Sequence, residues 1–311
     1  MSTSLGFIDA AEFALVSFLG SVAHPPGTPS YVFIGWIWTK TLSIFMSDKV
    51  AIICLLSVFS VALSTVINYM TFQVMSKEVG DKKFDQFRIN AASLAAALSI
   101  SLGMTFWNWA NAVEVYGFQI LCGSIMLYGL TCYQVHRNYL FLTFASIGYA
   151  LGLANHHLYM ILFTPLILFY FSDNLFSNPK KKQPKFNVQA LLDFFKDTLT
   201  SKHFLFLAGL TTLITCGFYF WMMIRAGLDF QFEFGSPDNG QRLWEHITGK
   251  VYTKLLIGEN KNENMFYLKL IYFSKMIFNQ YFFFLPFVII GFVIVLKKRL
   301  YKLFFIISFY F

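Results

Sequence analysis

Charged side chains are scarce in this 311-residue sequence: Asp, Glu, Lys and Arg make up 13% of it, against 57% hydrophobic residues. An ordinary soluble domain carries about a quarter charged residues. The shortage of charge therefore argues against a water-soluble fold. The net charge of +8 comes from short Lys and Arg runs beside apolar stretches, which is typical of membrane-protein loops. We therefore expect no nucleic-acid partner.

Cysteine is also rare, and no cysteine lies in a polar loop. The spacing of the four residues favours neither a loop disulfide nor a metal site. The N-terminus lacks the basic, apolar and small-residue regions of a secretory signal peptide. The last apolar run, 303–311, is shorter than the roughly 20 residues that a spanning helix needs, so we expect a chain cut at its C-terminal end. The cysteines are Cys54, Cys122, Cys132 and Cys216.

Long apolar runs, in contrast, recur along the whole chain. They predict membrane-spanning helices, because backbone polar groups inside a bilayer must be hydrogen-bonded within the segment itself. The sequence therefore predicts an all-α, multi-pass transmembrane bundle that forms a single domain in the lipid bilayer. The predicted spans are 49–72, 90–107, 115–133, 138–154, 158–172, 203–224 and 270–296.

Basic clusters orient these spans, since Lys and Arg concentrate on cytoplasmic loops. The clusters at 180–185 and 297–302 predict that 173–202 is a cytoplasmic basic loop. Its 188–199 stretch has the pattern of an amphipathic helix on the membrane surface. Counting spans back from these clusters places segments 108–114, 155–157 and 225–265 on the opposite, lumenal side.

The apolar stretch 28–46 carries Pro29 and Lys40, and its status decides where the N-terminus lies. If the stretch spans the membrane, residues 1–27 are cytoplasmic. If it lies in the interface, residues 1–48 form a lumenal loop. Charge alone does not decide between these two alternatives.

The first polar motif is Asp9-Ala-Ala-Glu12, followed by His24-Pro25-Pro26-Gly27. A helix would place Asp9 and Glu12 on one face, and Pro-Pro-Gly forces a turn that fixes His24. Paired carboxylates suit a general base that deprotonates a hydroxyl group, or a seat for a divalent cation. The alternative is simple helix capping by Asp9.

Two further motifs lie at predicted helix ends on the same side. Glu114 leads directly into an apolar span, where an ionisable group usually has a partner or a function, whereas its aromatic neighbours match an interfacial belt. Asn155, His156 and His157 form a polar turn between two apolar helices. Adjacent histidines do not have metal-ligand spacing, so contact with a phosphate or carboxylate, or a plain turn, remain the alternatives.

The fourth motif runs from Gly235 to Tyr252 in the predicted lumenal loop. Ser-Pro-Asp is a good helix start. The charged residues that follow lie three or four positions apart, so their faces overlap. Arg242 and Lys250 could hold a phosphate group at the membrane surface.

These four motifs resemble, in the same order, those of the large transmembrane family that includes the O-mannosyltransferase acting on TIG (IPT) domains of plexin-type receptors. The His-Pro-Pro-Gly turn and Glu114-Val-Tyr116 are the most specific of them. One departure is Ala11, where the family commonly has Gly before the Glu, so the backbone freedom of Gly is lost.

The resemblance implies a GT-C glycosyltransferase fold in the endoplasmic reticulum membrane, with a catalytic acidic residue in the first lumenal loop. It makes 28–46 a lumenal juxtamembrane helix and implies that a preceding helix is missing, so that the chain is truncated at both ends. The implied donor is a polyprenyl- or dolichyl-phosphate sugar, with mannose as the implied sugar, and the acceptor is a protein Ser or Thr. By the match, Asp9 is the catalytic residue, with Glu12 as support.

The expected reaction needs no metal, although Asp9 and Glu12 could bind a divalent cation. The expected substrate-binding residues are His24, Glu114, Asn155, His156, His157, Arg242 and Lys250.

Two rival functions stay open at this point. A transporter should carry polar residues inside its spans along a pathway, but groups such as Asn68 are sparse here. An inactive fragment or scaffold subunit is the other alternative.

Overall fold

The computed structural model describes residues 8–79, 85–170, 195–228, 230–252, 263–282 and 285–297. These residues form helices and irregular segments, with no strand among them, so the predicted all-helical class is confirmed. The helices are α1 (Ile8–Leu19), α2 (Pro29–Leu42), α3 (Lys49–Val79), α4 (Gln86–Ser101), α5 (Met104–Ala110), α6 (Val115–His136), α7 (Tyr139–Ile161), α8 (Thr164–Tyr170), α9 (Lys202–Ala226), α10 (Gly240–Ile247), α11 (Glu263–Tyr281) and α12 (Leu285–Lys297).

Three of these helices are long and apolar enough to cross a membrane: α3 as far as Lys77, α6 and α9. Two bent pairs raise the number of candidate spans to as many as five. The helices α4 and α5 meet at 69°, and α11 and α12 meet at 97°. The described residues thus hold three to five candidate spans instead of the seven predicted. The predicted spans 90–107 and 270–296 are each two helices rather than one.

The chain reverses direction at His156, as the predicted polar turn requires. His156 has the non-helical angles φ −142° and ψ 86°. In a straight helix Gly152 and Met160 would lie about 12 Å apart along the axis, yet a Cβ on Gly152 would lie 2.6 Å from Met160 Cγ. The Tyr149 and Thr164 hydroxyls, fifteen residues apart, are 2.7 Å from each other.

This reversal also explains why the predicted spans 138–154 and 158–172 do not qualify by length. The straight part of α7 before the kink is shorter than the roughly 20 residues of a full span, and only 7 residues of α8 lie within the described part of the chain. Both segments still pack in the bundle, where Met160 and Leu166 are buried in the same cluster as residues of α6.

Helix α6 lies at the centre of the bundle and packs against α3 and α7, while α7 also packs against α9. The approach of α6 and α7 depends on small residues, as is usual between membrane helices. A Cβ on Gly148 would lie 2.5 Å from the Met126 nitrogen. Between α3 and α6, the Ser64 and Ser124 hydroxyls are 2.8 Å apart.

The apolar stretch 28–46, which decides where the N-terminus lies, contains α2, a helix of 14 residues. At about 1.5 Å per residue it is too short to cross a hydrocarbon core of about 30 Å. Its side chains tie it to three other helices. Ser30 donates to the Leu151 carbonyl, Trp38 to the Ile52 carbonyl and Thr39 to the Ser17 carbonyl. The helix therefore forms part of the bundle without spanning a membrane.

Several predicted features lie outside the described residues. They include the basic cluster at 180–185, the start of the amphipathic stretch at 188–199, residues 253–262 of the predicted lumenal loop, the basic residues after 297, and the final run 303–311.

Candidate functional site

Helix α1 and the loop that follows it bring Asp9, Glu12 and His24 together. Asp9 and Glu12 are three residues apart and so share a helix face. The loop returns to that face, where His24 Nδ1 lies 2.9 Å from Glu12 Oε1 and the His24 backbone N–H donates to the same oxygen at 2.7 Å. Potential ligand atoms of the three side chains lie within 4.8 Å of one another. We call them the acid–histidine cluster.

The two carboxylates of the cluster have different surroundings. Glu12 is buried, with 8% of its surface exposed, whereas Asp9 is exposed. The hydrogen bond that the His24 ring donates to Glu12 raises the pKa of His24 above its ordinary value, because it favours the charged imidazolium. Glu12 is therefore held by His24, and Asp9 is the carboxylate that an incoming molecule can reach.

The His-Pro-Pro-Gly motif forms the predicted turn, closed by a hydrogen bond from the Gly27 N–H to the His24 carbonyl at 2.7 Å. Gly27 has φ +91°, a left-handed conformation that favours glycine. A Cβ at this position would also press on the flexible Met222 side chain and lie 3.1 Å from the His246 ring. The positive φ is therefore the main reason for glycine at Gly27.

His246 of α10 binds this loop, although it comes 223 residues after Ala23 in the sequence. Its Nε2 lies 3.0 Å from the Ala23 carbonyl, and its side chain is buried. Burial lowers the pKa of His246, so the ring is neutral at pH 7 and its Nε2–H donates to the carbonyl. A backbone hydrogen bond from Phe234 to the Val22 carbonyl, at 3.1 Å, supports the same contact.

Arg225, near the end of α9, also binds the loop that follows α1. Its Nε donates to the Gly20 carbonyl at 2.6 Å and its Nη2 to the Leu19 carbonyl at 2.8 Å. Its guanidinium group also lies over the Trp36 and Phe230 rings, 5.1 Å and 4.5 Å from their centroids. Cation–π contacts of this kind add to the hydrogen bonds.

Sequence reasoning missed Arg225 altogether and treated His246 only as a member of a helix face. An Arg at the end of an apolar span was the available signal for Arg225. No sequence signal identifies its acceptors, because they are backbone carbonyls more than 200 residues earlier.

Glu114 lies beside the acid–histidine cluster. It is the half-buried residue before α6, with an extended backbone and no side-chain capping bond. The pKa of Glu114 is raised to about 7, mainly by burial and secondly by the negative charge of Asp9, while His24 acts in the opposite direction. The structure thus brings the first two sequence motifs together.

The third motif has a mainly positioning role in the structure. Asn155 is buried, and its Nδ2 donates to the Val115 carbonyl at 3.0 Å and to Gln119 Oε1 at 2.7 Å. These bonds hold the end of the straight part of α7 against the start of α6. Val115, the first residue of α6, directly follows Glu114. The kink that follows places His156 and His157 in half-buried positions.

Arg242 and Lys250 lie on the exposed surface of the α10 segment. Arg242 Nη1 donates to both carboxylate oxygens of Asp238 at 3.0 Å. Lys250 Nζ is 2.6 Å from Glu245 Oε1. Each of these two cations therefore already pairs with a carboxylate of its own segment.

Comparison with known proteins gives one match. Residues 9–178 match the family model described as "Protein O-mannosyl-transferase TMEM260 N-terminal domain". No curated protein and no solved structure gives a significant match. The matched residues make up more than half of the chain and include the acid–histidine cluster, Glu114 and Asn155, whereas Arg225 and His246 follow them.

Proposed function

The chain belongs to the family of the protein O-mannosyl-transferase TMEM260 N-terminal domain, and from this premise we propose which reaction it catalyses and where. The family name supports a glycosyltransferase role in protein O-mannosylation, and the apolar helices support integration into a membrane. The proposed reaction moves mannose from a polyprenyl- or dolichyl-phosphate donor to protein Ser or Thr hydroxyls. The proposed site is the lumenal face of the endoplasmic reticulum membrane. A GT-C architecture and TIG-domain acceptors are part of this proposal.

The acid–histidine cluster is the observation that carries the proposal. An acceptor hydroxyl needs a nearby base that is accessible and ionised, and Asp9 is the exposed carboxylate of the pair. The buried Glu12 holds His24 and thereby fixes the loop next to Asp9. One carboxylate thus reacts, and the other positions the loop.

The proposed mechanism is a single displacement with inversion at C1 of the sugar. The acceptor oxygen attacks C1 as its proton passes to the Asp9 carboxylate. The bond between C1 and the phosphate oxygen breaks, and its electron pair leaves with the lipid phosphate. The products are the mannosylated hydroxyl, a protonated Asp9 and the free lipid phosphate.

The negative charge that develops on the leaving phosphate needs stabilisation. His156, His157, Arg242 and Lys250 are the residues proposed for this role. Because Arg242 and Lys250 already bind carboxylates, each would exchange that partner for the phosphate.

The scheme requires no metal ion, because Asp9 takes the proton of the acceptor and protein side chains stabilise the leaving phosphate. The same three side chains have the ligand types and spacing that could hold a divalent cation. Such a cation would polarise a substrate oxygen at this position.

Replacement of Asp9 by Asn tests the proposal. The full chain in membranes would be supplied with polyprenyl-phosphate mannose and a Ser/Thr-containing TIG domain, and mannose transfer would be measured. Loss of a general base is expected to lower the rate by about 10²–10⁴-fold. Asp85→Asn is the matched control, because Asp85 is exposed at the start of α4 and Asn is an equally good helix cap.

Full activity of the Asp9→Asn protein would refute the assignment of the base. The absence of transfer by the wild-type protein, together with flux of a solute through proteoliposomes, would favour a transporter instead.

A further inference from the structure

Four aromatic side chains form a contiguous group where α5, α6 and the kink of α7 meet. The centroids of Trp109 and Tyr116 are 4.4 Å apart, and those of His156 and Tyr159 are 4.6 Å apart. Tyr116 joins the two pairs, since its ring stacks with His156 at 6.1 Å and meets Tyr159 edge-on at 5.9 Å. We call these four residues the aromatic platform.

The platform adjoins the acid–histidine cluster. Asp9 and Glu114 both interact electrostatically with the Tyr116 side chain, and His24 does so with His156. The rings therefore lie within electrostatic range of the carboxylate proposed as the base.

The platform is partly open to the surface. Tyr159 has 48% of its surface exposed, and the other three side chains are half-buried. An interfacial belt also places Trp and Tyr rings at the level of the lipid headgroups. The platform rings in addition contact one another and lie beside carboxylates, which a belt does not require.

Glu114 supplies the polar part of this surface. Within the part of the chain that the structure describes, it forms no ion pair with Lys, Arg or His. Its side chain makes no capping bond to α6, although the Val115 backbone N–H interacts with it. A half-buried carboxyl group that forms no ion pair can accept further hydrogen bonds from a ligand's hydroxyl groups.

A hexopyranose combines the two chemistries that this surface offers. Its C–H groups form an apolar face that can lie on an aromatic ring, and its hydroxyl groups project from the rim towards hydrogen-bond acceptors. A polyprenyl chain has no group that could donate a hydrogen bond to the carboxylate, and a phosphate without a sugar would be repelled by its negative charge.

We propose that the aromatic platform and Glu114 form the subsite that holds the sugar ring of the lipid-linked donor. This inference rests on the proposed function, because it names the residues that orient the transferred sugar beside Asp9. Tyr159 contributes the exposed ring, and Glu114 accepts hydrogen bonds from the sugar hydroxyls.

The test compares two radiolabelled ligands, polyprenyl-phosphate mannose and polyprenyl phosphate, in equilibrium binding to the full chain in detergent. The wild-type protein should bind the mannose-bearing lipid about tenfold more tightly. Tyr159→Leu removes the ring and should abolish this preference, with unchanged affinity for polyprenyl phosphate. Tyr159→Phe is the matched control, since it keeps the ring and should keep the preference.

Glu114→Gln is a second variant and should reduce the same preference without removing a ring. Should Tyr159→Leu melt early, this variant still tests the subsite. A preference that persists in both Tyr159→Leu and Glu114→Gln would overturn the inference. Loss of the preference in Tyr159→Phe would also overturn it, because the hydroxyl group rather than the ring would then be responsible.

Binding and transfer separate this inference from the proposed function. A wild-type protein that prefers the mannose-bearing lipid but transfers no sugar supports the subsite and refutes the transferase. Transfer without any sugar-dependent preference supports the transferase and overturns the subsite.

Discussion

Replacement of Glu114 by Gln should stabilise the protein at alkaline pH. Burial raises the pKa of Glu114 to about 7, compared with 4.5 for an unperturbed carboxyl group. The folded state therefore binds this proton more tightly than the unfolded state does. Consequently, the free energy of unfolding falls as the pH rises from about 4.5 to about 7, and Glu114 causes no further change above that.

The size of the effect follows from the difference between the two pKa values. That difference is 2.5 (7 − 4.5), and at about 1.36 kcal/mol per pKa unit it sets an upper bound of about 3.4 kcal/mol above pH 7. Because the side chain is only half-buried, solvent screening reduces the expected gain from the substitution to about 1 kcal/mol between pH 5 and pH 8. This corresponds to roughly 2–4 °C in melting temperature for a chain of this size.

Apparent melting temperatures in detergent at pH 5 and pH 8 provide the assay. The advantage of Glu114→Gln over wild type should be larger at pH 8. Glu245→Gln is the matched control, because the hydrogen bond from Lys250 lowers the pKa of Glu245 and its substitution should bring no gain at alkaline pH. The reasoning fails if the advantage of Glu114→Gln is the same at both pH values.

Two further predictions concern the loop and the acid–histidine cluster. Gly27→Ala should strain the turn, since alanine rarely adopts φ +91°; we expect about 1–3 kcal/mol of destabilisation and reduced mannose transfer. Gly217→Ala, inside α9 with open space around it, should leave transfer unchanged and should not lower the melting temperature. EDTA should leave the transfer rate unchanged, because the scheme needs no metal; a rate that falls with EDTA and returns with Mg²⁺ or Mn²⁺ would instead show that the cluster holds a cation.

The helical class and the polar turns could be predicted from sequence because they depend on local composition. Apolar runs predict helices, and His-Pro-Pro-Gly predicts a turn with the closing bond at Gly27 that the structure shows. The helix spacing predicts that Asp9 and Glu12 share a face, but the contact between Glu12 and His24 is visible only in the structure.

The number of spans could not be predicted with the same success, because hydropathy does not record where a helix breaks. The kink at His156 and the bend between α4 and α5 divide apolar runs that look continuous in sequence. Partners that are distant in sequence were equally inaccessible. The pairing of Arg242 with Asp238 spans only four residues and agrees with local spacing, whereas nothing local to Asn155 shows that its amide holds the start of α6.

Because Arg225 and His246 bind the loop after α1, the loop can adopt its final structure only after both residues have been synthesised. Arg225 and His246 are 205 and 223 residues further along the chain than the carbonyls of Gly20 and Ala23 that they bind. At about 5–20 residues per second, ribosomes reach them roughly 10–45 s after the loop itself has been made. A nascent chain that has inserted α1 to α8 thus carries both carboxylates of the cluster, but its loop takes final shape only when α9 and α10 arrive.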